Sequence, residues 1–219
     1  MSERVYLNNG WGFGREFDGS MIDGSADIDR LENVRIPHTV KETPLHYFDE
    51  KSYQLISGYV RKLDIKKEWN GKILLLTFEG VAHSCEVYIN GKKAASHKCG
   101  YTAFTTDISE YVSYGGENIL TVKVNSREDQ NIPPFGFVID YMTYGGIYRD
   151  VYLDIKETAY LKDIFVFTKQ AERYADENGF LHCKRSELDS VIEVVGAKPG
   201  MIIRQSLTDR EENQVLGEY

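Results

Sequence analysis

Apolar residues recur at every second position over much of the chain, which is the period of a β-strand with one buried face. The alternating segments are short, rich in β-branched and aromatic residues, and separated by glycine, asparagine and aspartate. Segments of this kind are typical of strands joined by tight turns. The pattern predicts strands at residues 59–65, 72–81, 85–89, 118–125, 150–155 and 163–168.

Turn signals connect these predicted strands. Asn90-Gly91 lies between two apolar runs and is a strong signal for a two-residue hairpin turn, and Gly115-Gly116 marks another turn. No long amphipathic helix is predicted. Residues 186–195 ("SELDSVIEVV") have a spacing compatible with a helix, but their strand-like neighbours favour a strand.

Many short strands with regular turns predict an all-β fold, an antiparallel β-sandwich of the jelly-roll type. A polar break near residues 156–159 separates two alternating regions. We therefore expect a first domain at residues 1–156 and a second at residues 157–219. The second segment is shorter than the roughly 100 residues of a seven-stranded sandwich, so this domain is expected to be incomplete.

The amino-acid composition excludes some classes of binding partner. The 219 residues include 34 acidic and 26 basic side chains, a net charge of −8. Nucleic acid is therefore not an expected partner, because phosphate binding needs a basic surface.

The longest aliphatic run, "ILLL" at 73–76, is too short to span a membrane. The N-terminus has no apolar signal-peptide segment, so a cytoplasmic protein is predicted, with Cys85, Cys99 and Cys183 as free thiols.

Two His-x-Cys pairs, His83/Cys85 and His97/Cys99, raise the question of zinc. With a two-residue turn at Asn90-Gly91, Cys85 would face Ser96 and His83 would face Lys98. His97 and Cys99 would then point to the opposite face, so no metal site is predicted unless a bulge shifts the register. Cys85 is expected to pack in the core with Val87 and Ile89.

No other motif in the sequence carries a reaction. The glycines of "GWGFG" at 10–14 follow no βαβ strand, so they do not predict a nucleotide site, and no cofactor is expected. Glycoside hydrolysis needs two carboxyl groups held about 5–10 Å apart. The acids Asp49-Glu50, Glu128-Asp129 and Asp150 are expected to be solvated surface groups.

The order of several segments resembles a known family. These segments are "IPHTV" (36–40), "KKEWNGKILLLTFEGVAHSCEVYINGKK" (66–93), "SHKCGYTAFTTDISEYV" (96–112), "GGENILTVKVN" (115–125) and "TYGGIYRDVYL" (143–153). Together they resemble the N-terminal sugar-binding domain of glycoside hydrolase family 2, which includes β-galactosidases, β-glucuronidases and β-mannosidases. The resemblance covers residues 1 to about 156, and the remainder resembles the start of the immunoglobulin-like domain that follows in such enzymes.

The resemblance implies a galactose-binding-like jelly roll packed beside a (β/α)8 barrel that carries the catalytic glutamates. We expect this chain to end before that barrel and to be inactive alone, with no catalytic residue of its own. In the β-galactosidases and β-glucuronidases of the family, an aspartate shortly before G-I-x-R contacts the sugar, and Asp140 holds that place here. Asp140 is thus the one substrate-binding residue implied.

We expect the residues around Asp140 to have structural roles. Arg149 is expected to pair with a carboxylate or bind carbonyl groups, and His38 to pack at a strand–loop junction. The aromatic residues near the loop are expected to serve packing or the interface with the barrel: Phe135, Phe137, Tyr141, Tyr144 and Tyr148.

The sequence therefore predicts the non-catalytic sugar-binding region of a family 2 glycosidase, whose partners are a β-glycoside and the barrel. The sequence leaves the oligomeric state open, although members of the family often assemble through these domains. Two alternatives remain open: a self-sufficient carbohydrate-binding module, which should expose an aromatic platform, and a β-sandwich that only contacts protein, which should expose an unrelated apolar patch.

Overall fold

The computed structural model of the protein describes residues 3–42, 46, 49–132, 144–208 and 214–216. The chain divides into two compact units, residues 1–157 and residues 158–219. Asp140 lies outside the described residues, as do Phe135, Phe137 and Tyr141.

The first unit is built from strands. Its described strands are β1 (Glu3–Tyr6), β2 (Trp11–Gly14), β3 (Glu32–Val34), β4 (Ile56–Asp64), β5 (Ile73–Phe78), β6 (Val81–Ala82), β7 (Ser84–Ile89), β8 (Lys92–Lys98), β9 (Phe104–Asp107), β10 (Glu117–Asn125), β11 (Gly146–Ile147) and β12 (Val151–Lys156).

Helical structure in the described residues is short. It comprises α1 (Ser20–Asp23) and the 3-10 turns Ile28–Arg30, Glu50–Tyr53 and Lys67–Trp69. Residues 72–125, all of which are described, contain no helix, as predicted. None of the helices in the described residues has the length and apolar character needed to cross a membrane.

Two sheets form the body of the first unit. One has the strand order β1-β12-β5-β9, the other β3-β2-β4-β10-β7-β8, and β11 pairs with β6 in a small third sheet. All strand pairs among the described residues are antiparallel. The prediction of an all-β protein with antiparallel sheets is confirmed.

Inward-facing side chains of both sheets share one core. Leu74 and Leu76 of β5 and Leu120 and Val122 of β10 are fully buried in the same cluster. Alternation explains this arrangement, since every second residue of a strand points to the same face. Full burial of such side chains contributes about 1.5–3 kcal/mol each, so the alternating apolar positions hold the two sheets together.

The hairpin of β7 and β8 differs from the predicted register. Asn90 and Gly91 have φ values of 50° and 81°, as a two-residue hairpin turn requires, and Ile89 faces Lys92 as expected. A register shift at Val87/Tyr88 then moves every later pair by one residue.

The predicted pairing of Cys85 with Ser96 is therefore wrong, as is that of His83 with Lys98. Cys85 faces His97, and Ser84 faces Lys98. His97 lies on the face of Cys85 rather than the opposite one. Its ring stacks on Phe104 with a centroid distance of 4.5 Å.

The second unit consists of a long hairpin and a short strand pair. Strands β13 (Tyr160–Ala175) and β14 (Leu181–Val195) pair with each other, and so do β15 (Leu207–Thr208) and β16 (Gln214–Leu216). Residues 186–195 are thus strand, as their neighbours indicated. Many apolar side chains of the hairpin are exposed, including Phe165 at 61% and Val191 at 60%. The identity of this unit as an incomplete immunoglobulin-like domain stays a prediction.

Candidate functional site

The region around residues 133–143 is the candidate site, because the family resemblance implies that Asp140, which lies in it, contacts the substrate. The segment itself lies outside the described residues, but the residues on both sides of it are described. We call the residues that hold these two sides together the loop bracket: His38, Tyr59, Ser126, Gly145 and Gly146.

The side that precedes the segment is fixed by Ser126, directly after β10. The Ser126 backbone N–H donates to the Leu55 carbonyl oxygen at 3.0 Å. The Ser126 hydroxyl donates to the Tyr53 carbonyl oxygen at 2.6 Å, with the Leu55 oxygen at 3.1 Å. These bonds tie the chain to the residues that lead into β4.

A short turn follows Ser126. The Asp129 carboxylate accepts from the Asn131 backbone N–H at 2.9 Å, and the Asp129 carbonyl oxygen accepts from Ile132 N–H at 2.9 Å. A carboxylate that accepts from the backbone two residues later stabilises a tight turn. The chain therefore reaches residue 133 from an ordered turn.

The side that follows the segment is fixed by Gly145 and Gly146, which both require the absence of a side chain. A Cβ on Gly145 would lie 2.5 Å from the Ser126 Cβ, and one on Gly146 would lie 2.7 Å from the His38 carbonyl oxygen. Gly146 also has a φ of 113°, which other residues rarely adopt. The glycines thus let the backbone pass directly against its neighbours.

Backbone hydrogen bonds complete this second side. Val40 N–H donates to the Gly145 carbonyl oxygen at 3.0 Å, and His38 N–H donates to the Ile147 carbonyl oxygen at 2.8 Å. Gly146 and Ile147 also pair with Ala82 and Val81. Residues 145–147 therefore lie along the segment "IPHTV" (36–40) and are hydrogen-bonded to it.

A polar pair, the half-buried His38 and the buried Tyr59, lies beside Gly146. The His38 Nδ1 and Tyr59 Oη atoms are 2.9 Å apart, and the His38 ring packs on Phe13 with a centroid distance of 4.8 Å. Burial lowers the pKa of His38, an effect that the charge of Glu32 opposes. Burial also raises the pKa of Tyr59. Both groups are therefore neutral near pH 7, and His38 packs at a strand–loop junction as the sequence predicted.

His83 is buried close to the first side of the loop. Its side chain is 3% exposed, and its backbone N–H donates to the Asn125 carbonyl oxygen at 2.9 Å. Within the described residues its Nδ1 atom has no hydrogen-bond partner. Burial lowers the pKa of His83, and the charge of Glu128 opposes this shift.

Two of the aromatic residues predicted near the loop are described, and they differ. The Tyr148 hydroxyl donates to the Gly100 carbonyl oxygen, which is a packing role as expected. The Tyr144 side chain is 46% exposed and contacts the Tyr53 ring edge-on at a centroid distance of 6.0 Å. Tyr144 therefore presents an aromatic surface next to the segment.

Arg149 takes the structural role expected for it. Its Nη1 atom lies 3.5 Å from the Tyr101 carbonyl oxygen, and its guanidinium carbon lies 5.4 Å from the Tyr148 ring centroid. Carbonyl binding was one of the two roles predicted from the sequence.

Three of the other acids singled out in the sequence have local structural bonds. Asp49 accepts from the Lys51 N–H at 3.0 Å, Asp129 forms the turn described above, and Asp150 accepts from the Asn8 side-chain amide at 3.0 Å. These carboxylates stabilise turns and loops.

The described residues contain no group of three or more His, Cys, Asp or Glu side chains arranged to hold a metal ion. Cys85 is buried in the core with Val87 and Ile89, as expected. Burial raises the pKa of the Cys85 thiol to about 12, so it stays protonated. The described residues around the loop bracket offer hydrogen-bonding groups and the exposed ring of Tyr144.

Sequence reasoning missed Ser126 and Tyr59. Ser126 is one of several polar residues after a strand, and Tyr59 reads as an ordinary strand residue. No local signal distinguishes them, because their roles depend on segments about 20 to 70 residues away.

Comparison with known proteins places these features in context. The profile described as "Glycosyl hydrolases family 2, sugar binding domain" matches residues 25–157. A β-galactosidase of Thermoanaerobacter pseudethanolicus is 38% identical over 192 residues, which are 86% of this chain and 26% of that protein. A β-galactosidase of Thermoanaerobacterium thermosulfurigenes is 42% identical over 169 residues, which are 77% of this chain and 24% of that protein.

A solved structure shows the same fold. The β-glucuronidase of Bifidobacterium dentium in complex with coumarin-3-O-glucuronide matches with a TM-score of 0.79 at 18% identity, covering 98% of this chain and 39% of that one. The chain spans about a quarter of the length of the curated relatives that it matches.

Proposed function

The chain belongs to glycosyl hydrolase family 2 through its sugar-binding domain, and we propose that this domain holds residues 133–143 in place as a sugar-contacting loop for a β-galactosidase or β-glucuronidase. In this proposal Asp140 accepts hydrogen bonds from sugar hydroxyls. Catalysis belongs to a (β/α)8 barrel elsewhere in the longer enzyme.

The loop bracket is the observation that carries the proposal. Ser126 and Gly145 lie in direct contact at the two sides of the segment, and each side is tied to the body of the domain by backbone bonds. A carboxylate orients a sugar only if its loop is held in place, because small displacements weaken hydrogen bonds steeply. The bracket fixes the described residues on both sides of the segment.

The aromatic surface of Tyr144 supports the same function. Sugar rings have apolar faces that pack on aromatic rings. Tyr144 is exposed next to the segment, while Tyr148 is engaged with Gly100. We therefore assign Tyr144, rather than Tyr148, as a further candidate contact of the ligand.

Several finer points belong to the proposal. We propose that the first unit has jelly-roll connectivity, consistent with its two facing antiparallel sheets. We also propose that the second unit is part of an immunoglobulin-like domain, that copies of the protein assemble, and that the protein is cytoplasmic.

The test is the substitution Asp140→Asn in the longer enzyme, assayed with nitrophenyl β-galactoside and nitrophenyl β-glucuronide. A lost hydrogen bond to a charged group should lower kcat/KM at least about tenfold on the preferred substrate. Asp64→Asn is the matched control, because Asp64 is an exposed strand residue. An unchanged kcat/KM for Asp140→Asn, or an equal loss in both variants, would reject the role of Asp140.

The same assay separates the alternatives. Hydrolysis of the galactoside alone or the glucuronide alone identifies the class of substrate. Binding of a free sugar by the present chain, unaffected by Asp140→Asn, would instead favour a self-sufficient carbohydrate-binding module.

A further inference from the structure

A groove on the six-stranded sheet shares no lining residue with the loop bracket. It has a volume of about 580 Å³ and is lined by residues of β7, β8 and β10 and by Ile56 of β4. Clefts of roughly 300–1,000 Å³ are typical of small-molecule sites. The groove is thus large enough for a small ligand, and nothing in the proposed sugar function uses it.

The strand register explains which side chains line it. Ser84 of β7 lies between Lys98 and Asn125, and Glu86 lies between Ser96 and Lys123. Residues two apart on a strand share a face, and the core takes the alternate residues. These polar groups therefore lie together on the outer face.

The segment that contains Phe17 and Met21 covers part of the sheet beside Lys123. The Thr121 hydroxyl donates to the Met21 carbonyl oxygen at 2.5 Å, and Phe17 and Met21 pack over Gly58. The Lys123 Nζ atom lies 5.3 Å from the Phe17 ring centroid. The segment and the sheet together make this part of the face concave.

The groove is positively charged in a protein with a net charge of −8. Lys93, Lys98 and Lys123 line it against a single carboxylate, Glu86. Glu86 binds both Lys93 and, at 3.2 Å, Lys123, and it accepts from the Tyr88 hydroxyl at 3.1 Å. The Glu86 carboxylate thus forms ion pairs with two of the three lysine ammonium groups.

The remaining donors have no partner within the described residues. Neither Lys98 nor the hydroxyl groups of Ser84 and Ser96 make a hydrogen bond or ion pair with the described part of the chain. Ser84 faces Lys98 across the strand pair. One ammonium group and two hydroxyl groups are therefore available to a ligand on the same face.

We propose that this groove binds a small anion with a carboxylate or phosphoryl group. Lys98 supplies the charge, and Ser84 and Ser96 donate hydrogen bonds to the anion oxygens. A neutral sugar fits less well, because it carries no charge to complement the three lysines, which outnumber the single carboxylate of Glu86.

The test is titration of the ¹⁵N-labelled chain with inorganic phosphate, with malonate and with lactose, followed by amide chemical shifts. Phosphate or malonate should shift the amides of Ser84 and Lys98 saturably, and lactose should not. Lys98→Gln should weaken the anion at least about fivefold, as expected for loss of a charge-assisted hydrogen bond.

Lys92→Gln is the matched control, because Lys92 is exposed on the same strand but does not line the groove. It should leave the affinity within about twofold, since screened charges away from the site act weakly. Saturation by phosphate only or malonate only identifies the oxyanion and supports the site. The proposal is overturned by non-saturable shifts, by equal weakening in both variants, or by the same shifts with lactose.

Discussion

Gly145 lies against Ser126 so closely that a Cβ on the glycine would be 2.5 Å from the serine Cβ. The two residues are 19 positions apart and lie on opposite sides of residues 133–143. Their contact brings the two sides of this segment together, and the hydroxyl of Ser126 then secures both to the chain that enters β4.

Gly145→Ala should destabilise the first unit by about 1–3 kcal/mol, because the added methyl group overpacks a buried contact. Urea unfolding followed by tryptophan fluorescence measures this. Gly19→Ala is the control, since no atom lies within 4 Å of a Cβ at Gly19 and its φ is −60°. Equal stability of the two variants would show that the Gly145 contact is not tight in solution.

Tyr59→Phe should lower the free energy of unfolding by about 0.5–1.5 kcal/mol, because it removes the hydrogen bond to His38 Nδ1. Tyr144→Phe is the comparison, since Tyr144 is exposed and its hydroxyl makes no hydrogen bond with the described residues. We expect it to change stability by less than about 0.5 kcal/mol. A Tyr59→Phe variant as stable as the parent would mean that water replaces the lost hydroxyl at no cost.

Stability should fall on acidification, and His83 should contribute to the fall. Burial lowers the pKa of His83 and His38 below the ordinary 6.5, so the unfolded chain takes up protons first as the pH decreases. Their contribution is complete above about pH 6.5 and is lost as the pH falls through the folded-state pKa.

The measurement is the urea midpoint at about pH 7.5 and about pH 5, which bracket the ordinary histidine pKa. In His83→Gln the difference between the two midpoints should be smaller than in the parent. An identical difference in both proteins would exclude His83 as a source of the acid sensitivity.

The carboxyl group of Glu86 should titrate far below its ordinary range. Lys93, and then Lys123, lower the pKa of Glu86 from 4.5 to about 2, although burial opposes them. Its pairing therefore stabilises the fold above about pH 4.5 and is lost as the pH falls toward about 2. The energy involved is small, because the pair is partly exposed and screened by solvent.

Carbon-13 NMR of the side-chain carboxyl group follows this titration directly. Lys93→Gln should raise the Glu86 midpoint, and Lys92→Gln should leave it in place. A midpoint near 4.5 in the parent chain would show that the ion pairs do not persist in solution.

The exposed hairpin of the second unit should promote self-association of this chain. Phe165 and Phe167 lie on one face with a centroid distance of 5.5 Å, and their exposed fractions are 61% and 38%. Exposed apolar strands are prone to pair with other chains. Phe165→Lys should reduce the binding of a dye that is specific for exposed apolar surface, and it should reduce the average mass measured by sedimentation. Lys162→Gln, on the same strand, should change neither. Equal association of both variants would place the contact elsewhere.

Sequence alternation alone determined the all-β class and six of the sixteen described strands, namely β4, β5, β7, β10, β12 and β13. Period-two burial is a local property, so each strand's pattern marks its inner face without knowledge of its neighbours. The Asn90-Gly91 turn is local in the same sense, because the positive φ values it needs belong to those two residues. The family could also be recognised from the sequence, since its motifs occur in the same order over residues 36–153.

Tertiary structure alone decided the contacts between distant segments. The bulge in β7–β8 moved Cys85 from Ser96 to His97, because one unpaired residue changes every pairing beyond it. The need for glycine at 145 arises from Ser126, and the partner of His38 is Tyr59. No local pattern encodes such pairs, because they form only when the sheets close on a common core, and that closure also placed Ser84, Ser96 and Lys98 together on the outer face.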